Sequence, residues 1–259
     1  MKMLWNNFKV AFAMFSKIPM PEADWSRENM KYMLCFFPFI GVVIGGCSFL
    51  ASRLGVYFDF TAVWIAVLLT LIPVWITGGI HVDGLLDTSD ALSSWQERER
   101  RLEILKDSHA GAFAVITACV YFLLWFGACS QIWTDVSCMK LHALSFFLSR
   151  CLSGIGVVTI PKARADGTVA EFSRSAQEIR VRNILIVYLI FIGGIMLLVH
   201  PVLGAAALIG AIGIFVYYRW MAVKNFGGTT GDLSGWFLCV CEVGVLVILA
   251  VVSKLIIKM

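Results

Sequence analysis

The chain has 259 residues, 59% of them apolar, with a mean hydropathy of +0.84 and a formal net charge of +4. An ordinary soluble domain is about 45–50% apolar, and here the apolar residues come in blocks of membrane length with charges confined to the joints. A soluble globular protein is thereby excluded, and the lack of basic runs interleaved with aromatics argues against a nucleic-acid partner.

In chain order, Leu4, Phe8, Phe12 and Phe15 recur at helical spacing opposite Lys2, Lys9 and Ser16. This predicts an amphipathic helix lying in the membrane interface, ended by Pro19 and Pro21. Its apolar core is too short for a signal peptide, and no small-residue cleavage site follows. A span needs about 20 mostly apolar residues. Seven follow, at 33–51, 61–80, 110–133, 141–160, 184–200, 202–219 and 236–256, with a tight turn at His200 and Pro201 between the fifth and sixth. The expected fold is all-α: a polytopic integral membrane helix bundle of seven transmembrane helices plus the N-terminal interfacial helix. It forms one membrane-embedded domain over residues 1–259.

Sixteen Lys and Arg residues fall in the joints 1–32, 81–109, 161–183 and 219–235, against four in the alternate joints and the C-terminal end. The positive-inside rule puts the N-terminus and these four joints in the cytoplasm and the C-terminus outside. The eight cysteines, with no Cys-x-x-Cys and no zinc spacing, are expected as small buried apolar residues. Trp75, Trp95, Trp220 and Trp236 are expected as interfacial anchors.

The most informative segment runs from Gly78-Gly79-Ile80-His81 to Asp90. Asp83, Asp87 and Asp90 stand at i, i+4 and i+7, within roughly 60° of one another on a helix. The plain reading is a solvated helix face. Three clustered anions at the mouth of a bundle also suit a hard cation with oxygen ligands. His81 stands one residue off the stripe, and bonds to a carboxylate, a phosphate or a metal are all open to it. The segment 96–107 alternates charge as a solvated helix would, and its end could return Asp107 to the stripe.

A second polar cluster, Gly227-Gly228-Thr229-Thr230-Gly231-Asp232, feeds the last span. Its backbone N–H groups and the helix N-terminus favour phosphate oxygens. Glu242 lies ten residues after Asp232, about 15 Å along a continuous helix, and so cannot share an ion with it. Intramembrane carboxylates are costly and usually functional. Arg150 in the fourth span poses the same question: the two neutralise each other, or Arg150 faces a polar cavity and binds phosphate. The loop 161–183 carries Lys162, Arg164, Arg174, Arg180 and Arg182, largely as orientation charge. Arg164, followed by Asp166 and Gly167, could add a phosphate clamp.

Together these residues resemble the cobalamin synthase family, adenosylcobinamide-GDP ribazoletransferase, over nearly the whole chain. The resemblance rests on Phe15-Ser16-Lys17-Ile18-Pro19-Met20-Pro21, Phe37-Pro38-Phe39-Ile40-Gly41 with Gly45, and the segment from Gly78 to Asp90. It continues through Lys106-Asp107-Ser108, Ser149-Arg150, Ala163-Arg164 and Gly227 to Asp232. The family pattern usually has arginine where His109 stands and an acid where Cys239 stands.

The resemblance implies the partners adenosylcobinamide-GDP and α-ribazole or its 5′-phosphate, in a bilayer that would be the cell's inner membrane. A homo-oligomer is left open. It implies Mg²⁺ as cofactor, held by Asp83, Asp87 and Asp90 with Asp107 or Asp232, one of the aspartates serving instead as base. His81, Arg150, Arg164, Glu242 and the Gly227–Gly231 backbone would then bind or stabilise the substrate.

The alternatives are an ion-coupled transporter and a membrane phosphotransferase of the CDP-alcohol type. Against the first, no inverted repeat is visible. Against the second, Asp83-Gly84 is followed by Leu-Leu-Asp-Thr and not by the Asp-Gly-x-x-Ala-Arg pattern.

Overall fold

The computed structural model describes residues 2–26, 30–107, 109–164 and 177–258. Ser108, Asp166, Gly167 and Arg174, singled out above, lie outside the described residues. Ten helices are present among the described residues: α1 Lys2–Phe15, α2 Met33–Tyr57, α3 Ala62–Thr77, α4 Ile80–Ser93, α5 Arg98–Ile104, α6 Ala112–Ile132, α7 Val136–Thr159, α8 Glu178–Val199, α9 Pro201–Phe226 and α10 Gly231–Lys258. Six of them, α2, α6, α7, α8, α9 and α10, are long and apolar enough to cross a membrane. The protein is a multi-pass membrane helix bundle.

The second expected span is the short helix α3. It stops at Thr77 after 16 residues, about 24 Å of rise. The chain then bends by 94° into α4. Gly78 and Gly79 make the bend, with φ of +66° and +79°, which residues bearing a Cβ rarely adopt. The acidic stripe therefore lies on α4, a separate helix that turns away from α3.

Central to the bundle is α7, which packs against α2, α8, α9 and α10. A Cβ on Gly41 or Gly45 of α2 would lie 2.3 Å from the Phe146 carbonyl oxygen or 2.2 Å from that of Ala143. This small-x-x-x-small spacing lets the two backbones touch, as membrane helices require in the absence of a hydrophobic drive between them.

Helix α1 forms as expected, but it docks on the bundle and does not lie free in the interface. Asn6, Asn7, Val10, Ala11 and Phe12 are buried, whereas Leu4 is 49% exposed. The Asn side chains face inward because they are satisfied there. Asn6 Nδ2 donates to the Asp24 carbonyl at 2.7 Å, and Asn7 Oδ1 accepts from the Tyr32 N–H at 2.8 Å. Six cysteines are buried, while Cys47 and Cys119 face outward from apolar spans. Trp75, Trp95 and Trp220 are exposed as expected of anchors, but Trp236 is buried.

Candidate active site at one end of the bundle

The site is built where α4 crosses the first turns of α10. A Cβ on Gly84 would stand 2.6 Å from the Asp232 carbonyl oxygen, and one on Gly235 3.1 Å from that of His81. Glycine at 84 is thus what lets the two backbones meet. The contact puts Asp83 and Asp232, far apart in sequence, on one cavity of about 400 Å³. His81, Ser153 and Ser234 line it too, and α1, α2 and α7 supply apolar walls through Met14, Phe15, Leu34, Phe37 and Val157. The α1 wall was not foreseen as part of a site.

Asp87 shares the electrostatic environment of Asp83 and Asp232. Partial burial first, and then the charges of Asp83, Asp232 and Asp90, push its carboxyl up to about 6. A compensating charge comes from Arg164, which acts on Asp232 and donates to the Leu102 carbonyl of α5. Among the described residues, no three His, Cys, Asp or Glu side chains converge into a closed metal shell. The donor chemistry still fits a hard cation: carboxylates gathered at one place, with oxygen ligands and the Arg164 charge beside Asp232.

Asp90 belongs to the stripe in sequence but serves another end. Its oxygens accept the Gly111 N–H at 2.5 Å and the Ala114 N–H at 2.9 Å, capping the N-terminus of α6. Replacing it with Ala should lower stability by about 1 kcal/mol, measured by thermal unfolding, while divalent-ion affinity stays within a few-fold of wild type. Asp107 does not return to the stripe. It is exposed, and the His109 side chain bonds it at 2.7 Å and holds its carboxyl below the usual range.

His81 is buried, and its Nε2 has no hydrogen-bond partner. Burial first, then the Arg150 charge, push its pKa down to about 3, so the ring is neutral. Arg150 does not line the cavity. Its Nη1 meets Glu242 Oε1 at 2.7 Å, and Ser149 Oγ donates to the same oxygen at 2.8 Å. The two side chains are 1% and 5% exposed and neutralise each other in this structure. Helix α10 is continuous from Gly231 to Lys258, which keeps Glu242 well away from Asp232.

The glycine-rich turn is less of a phosphate cradle than its composition suggests. The N–H groups of Gly227, Gly228 and Thr229 donate to the carbonyls of Val223, Ala222 and Pro161 at 3.0, 3.1 and 2.7 Å. Thr229 is buried and pairs with the Tyr218 hydroxyl at 2.5 Å, and Thr230 Oγ1 accepts the Leu233 N–H at 3.2 Å as the cap of α10. Backbone donors already used this way are closed to a ligand. Gly231 alone of the glycines in this turn lines the cavity.

The family model for cobalamin-5-phosphate synthase matches residues 7–250. An adenosylcobinamide-GDP ribazoletransferase of Lachnoclostridium phytofermentans is 46% identical over 251 residues, 96% of this chain and 95% of its own. Proteins of the same name from Clostridium botulinum strain Alaska E43 and Desulfitobacterium hafniense strain Y51 are 32% and 33% identical. They cover 94% and 91% of this chain, and 96% and 91% of their own. No solved structure matches the chain. A match over nearly the full length places this chain in the cobalamin-5-phosphate synthase family.

Proposed function

We propose that this protein transfers the cobinamide-phosphate group of adenosylcobinamide-GDP to α-ribazole or its 5′-phosphate. The products are adenosylcobalamin, or its 5′-phosphate, and GMP. The observation that carries this reading is the meeting of Asp83 and Asp232 on one cavity at the end of the bundle. The positive-inside bias supports placing that end in the cytoplasm, in a cell's inner membrane.

In the transfer, a ribose hydroxyl oxygen bonds to the cobinamide-linked phosphorus. The bond from that phosphorus to the bridging oxygen breaks, and GMP leaves with that oxygen. Asp83 and Asp232 would hold Mg²⁺, which when bound supplies neutralising charge for the pyrophosphate. Asp87, beside that pair, is suited by position to take the hydroxyl proton. Arg164 would bind phosphate oxygens. The apolar walls would keep water from competing with the ribose hydroxyl.

The test is GMP release by purified protein given adenosylcobinamide-GDP, α-ribazole and Mg²⁺. Release that requires ribazole and stops with chelator is expected. Release without ribazole, or none from folded protein in lipid, would contradict the reading.

The Asp87 carboxyl sets a pH dependence. Its pKa is raised, so it holds its proton until about pH 6 and gains negative charge above that. Magnesium binding favours the ionised form. The Mg²⁺ concentration for half-maximal activity should therefore rise as pH falls below about 6, by up to about tenfold per unit, and level off above about 7. A flat response from pH 5 to 8 would remove Asp87 from the metal's surroundings.

A further inference from the structure

The cavity has two unlike ends. At one stand Asp83, Asp232 and Gly231. From there it follows α10 as far as Leu238, about 10 Å along the helix axis, between apolar side chains. Among the described residues no Lys or Arg lines it, and its surface is mostly apolar. One buried polar atom, His81 Nε2, borders it without a protein partner.

These features discriminate among the chemical parts of the two substrates. A corrinoid nucleotide, with on the order of a hundred non-hydrogen atoms, is far too large for about 400 Å³, whereas pockets of this size suit ligands of about twenty. Guanosine is small enough, but its base carries donors and acceptors along its edge. Against Met14, Phe37 and Val157 these would find no partners, and each unpaired group costs roughly tenfold in affinity. A dimethylbenzimidazole has an apolar methylated edge and a single free ring nitrogen. Its riboside is amphipathic in the same sense as the cavity.

We infer that this cavity is the subsite of the acceptor nucleoside. The methylated aromatic base sits among Met14, Leu34, Phe37 and Val157, with the ribose toward Asp83 and Asp232. His81 Nε2, beside the Ser153 and Ser234 hydroxyls, offers a hydrogen bond to the buried part. An imidazole nitrogen can bond either a ring nitrogen or a hydroxyl. The corrin and the guanosine stay outside, and the hydroxyl that attacks is delivered next to the carboxylates. This assignment rests on the proposed transfer for the identity of the nucleoside.

The test uses full-length protein in lipid nanodiscs and two variants on different helices, Val157→Phe on α7 and Met14→Trp on α1, each narrowing the apolar end. Calorimetry with α-ribazole, in the presence of chelator and without the corrinoid donor, is expected to show one site in the wild type. Affinity should be at least tenfold weaker in both variants, and guanosine should bind at least tenfold more weakly than ribazole. In turnover, the variants should raise KM for α-ribazole by tenfold or more. KM for adenosylcobinamide-GDP, and kcat at saturating ribazole, should stay within about twofold.

Guanosine competing equally with ribazole would overturn the assignment. So would variants that raise the donor's KM and spare the acceptor's. The calorimetric arm needs no turnover, so it decides the occupant separately from ribazole-dependent GMP release, which decides the activity.

Discussion

Asp83→Asn is expected to lower ribazole-dependent GMP release by about a thousandfold, the scale of the several kcal/mol that a metal's charge contributes to a phosphoryl-transfer transition state. Asp232→Asn should match it, because Gly84 brings both residues to one cavity. Asp87→Asn should cost about a hundredfold or more as the loss of a base. Asp90→Asn should stay within about tenfold of wild type, since its oxygens hold the N–H groups of Gly111 and Ala114. The order is what matters. A helical stripe acting as one unit would make Asp90 as important as Asp83 and leave Asp232 dispensable. Equal losses at 83, 87 and 90 with an active Asp232→Asn would restore that simpler picture.

Arg150→Met should destabilise the protein by roughly 3–5 kcal/mol, because it leaves Glu242 buried without its partner. By ordinary scaling this is a drop in melting temperature on the order of 10 °C, measurable by thermal unfolding in detergent. The double replacement of Arg150 and Glu242 by Met should recover much of the loss, since an apolar pair of similar volume has no charge to desolvate. The pair lies between α7 and α10, with Arg150 also donating to the Phe146 carbonyl at 2.9 Å and its guanidinium 5.7 Å from the Phe37 ring centre. A variant that melts like wild type but shows a raised KM for adenosylcobinamide-GDP would instead make Arg150 a substrate-binding residue.

Much of this was legible in the sequence because membrane spans advertise themselves. Six of the seven expected spans are long apolar helices, and α10 is continuous as the spacing of Asp232 and Glu242 required. The second, 61–80, is the short straight helix α3, and the bend into α4 comes at its end because apolarity records what a segment is surrounded by and not its direction. Gly78 and Gly79 supplied the hint, but a glycine pair permits a bend without demanding one.

The same limit applies to the site. Periodicity placed Asp83, Asp87 and Asp90 on one face, yet it could not say what that face meets. Tertiary contact split the stripe, sending Asp83 to the cavity and Asp90 to the start of α6. Gly84 and Gly235, the contact that joins the two acidic motifs, looked like any other helical glycines. The turn from Gly227 to Thr230 misled because its amides find protein carbonyls that are distant in sequence or hidden in the preceding helix. The apolar walls on Met14 and Phe15 were invisible as a site, since a cavity between helices leaves no periodic signature.

The most direct test of the central claim, that Asp83 and Asp232 form one metal site across the α4–α10 contact, is Mn²⁺ binding followed by electron paramagnetic resonance. The protein would be in nanodiscs without substrate, as wild type, Asp83→Asn, Asp232→Asn and Asp90→Asn. The account predicts saturable Mn²⁺ binding, displaced by Mg²⁺, that is weakened at least tenfold by either of the first two substitutions and little changed by the third. Equal binding by wild type, Asp83→Asn and Asp232→Asn would contradict it.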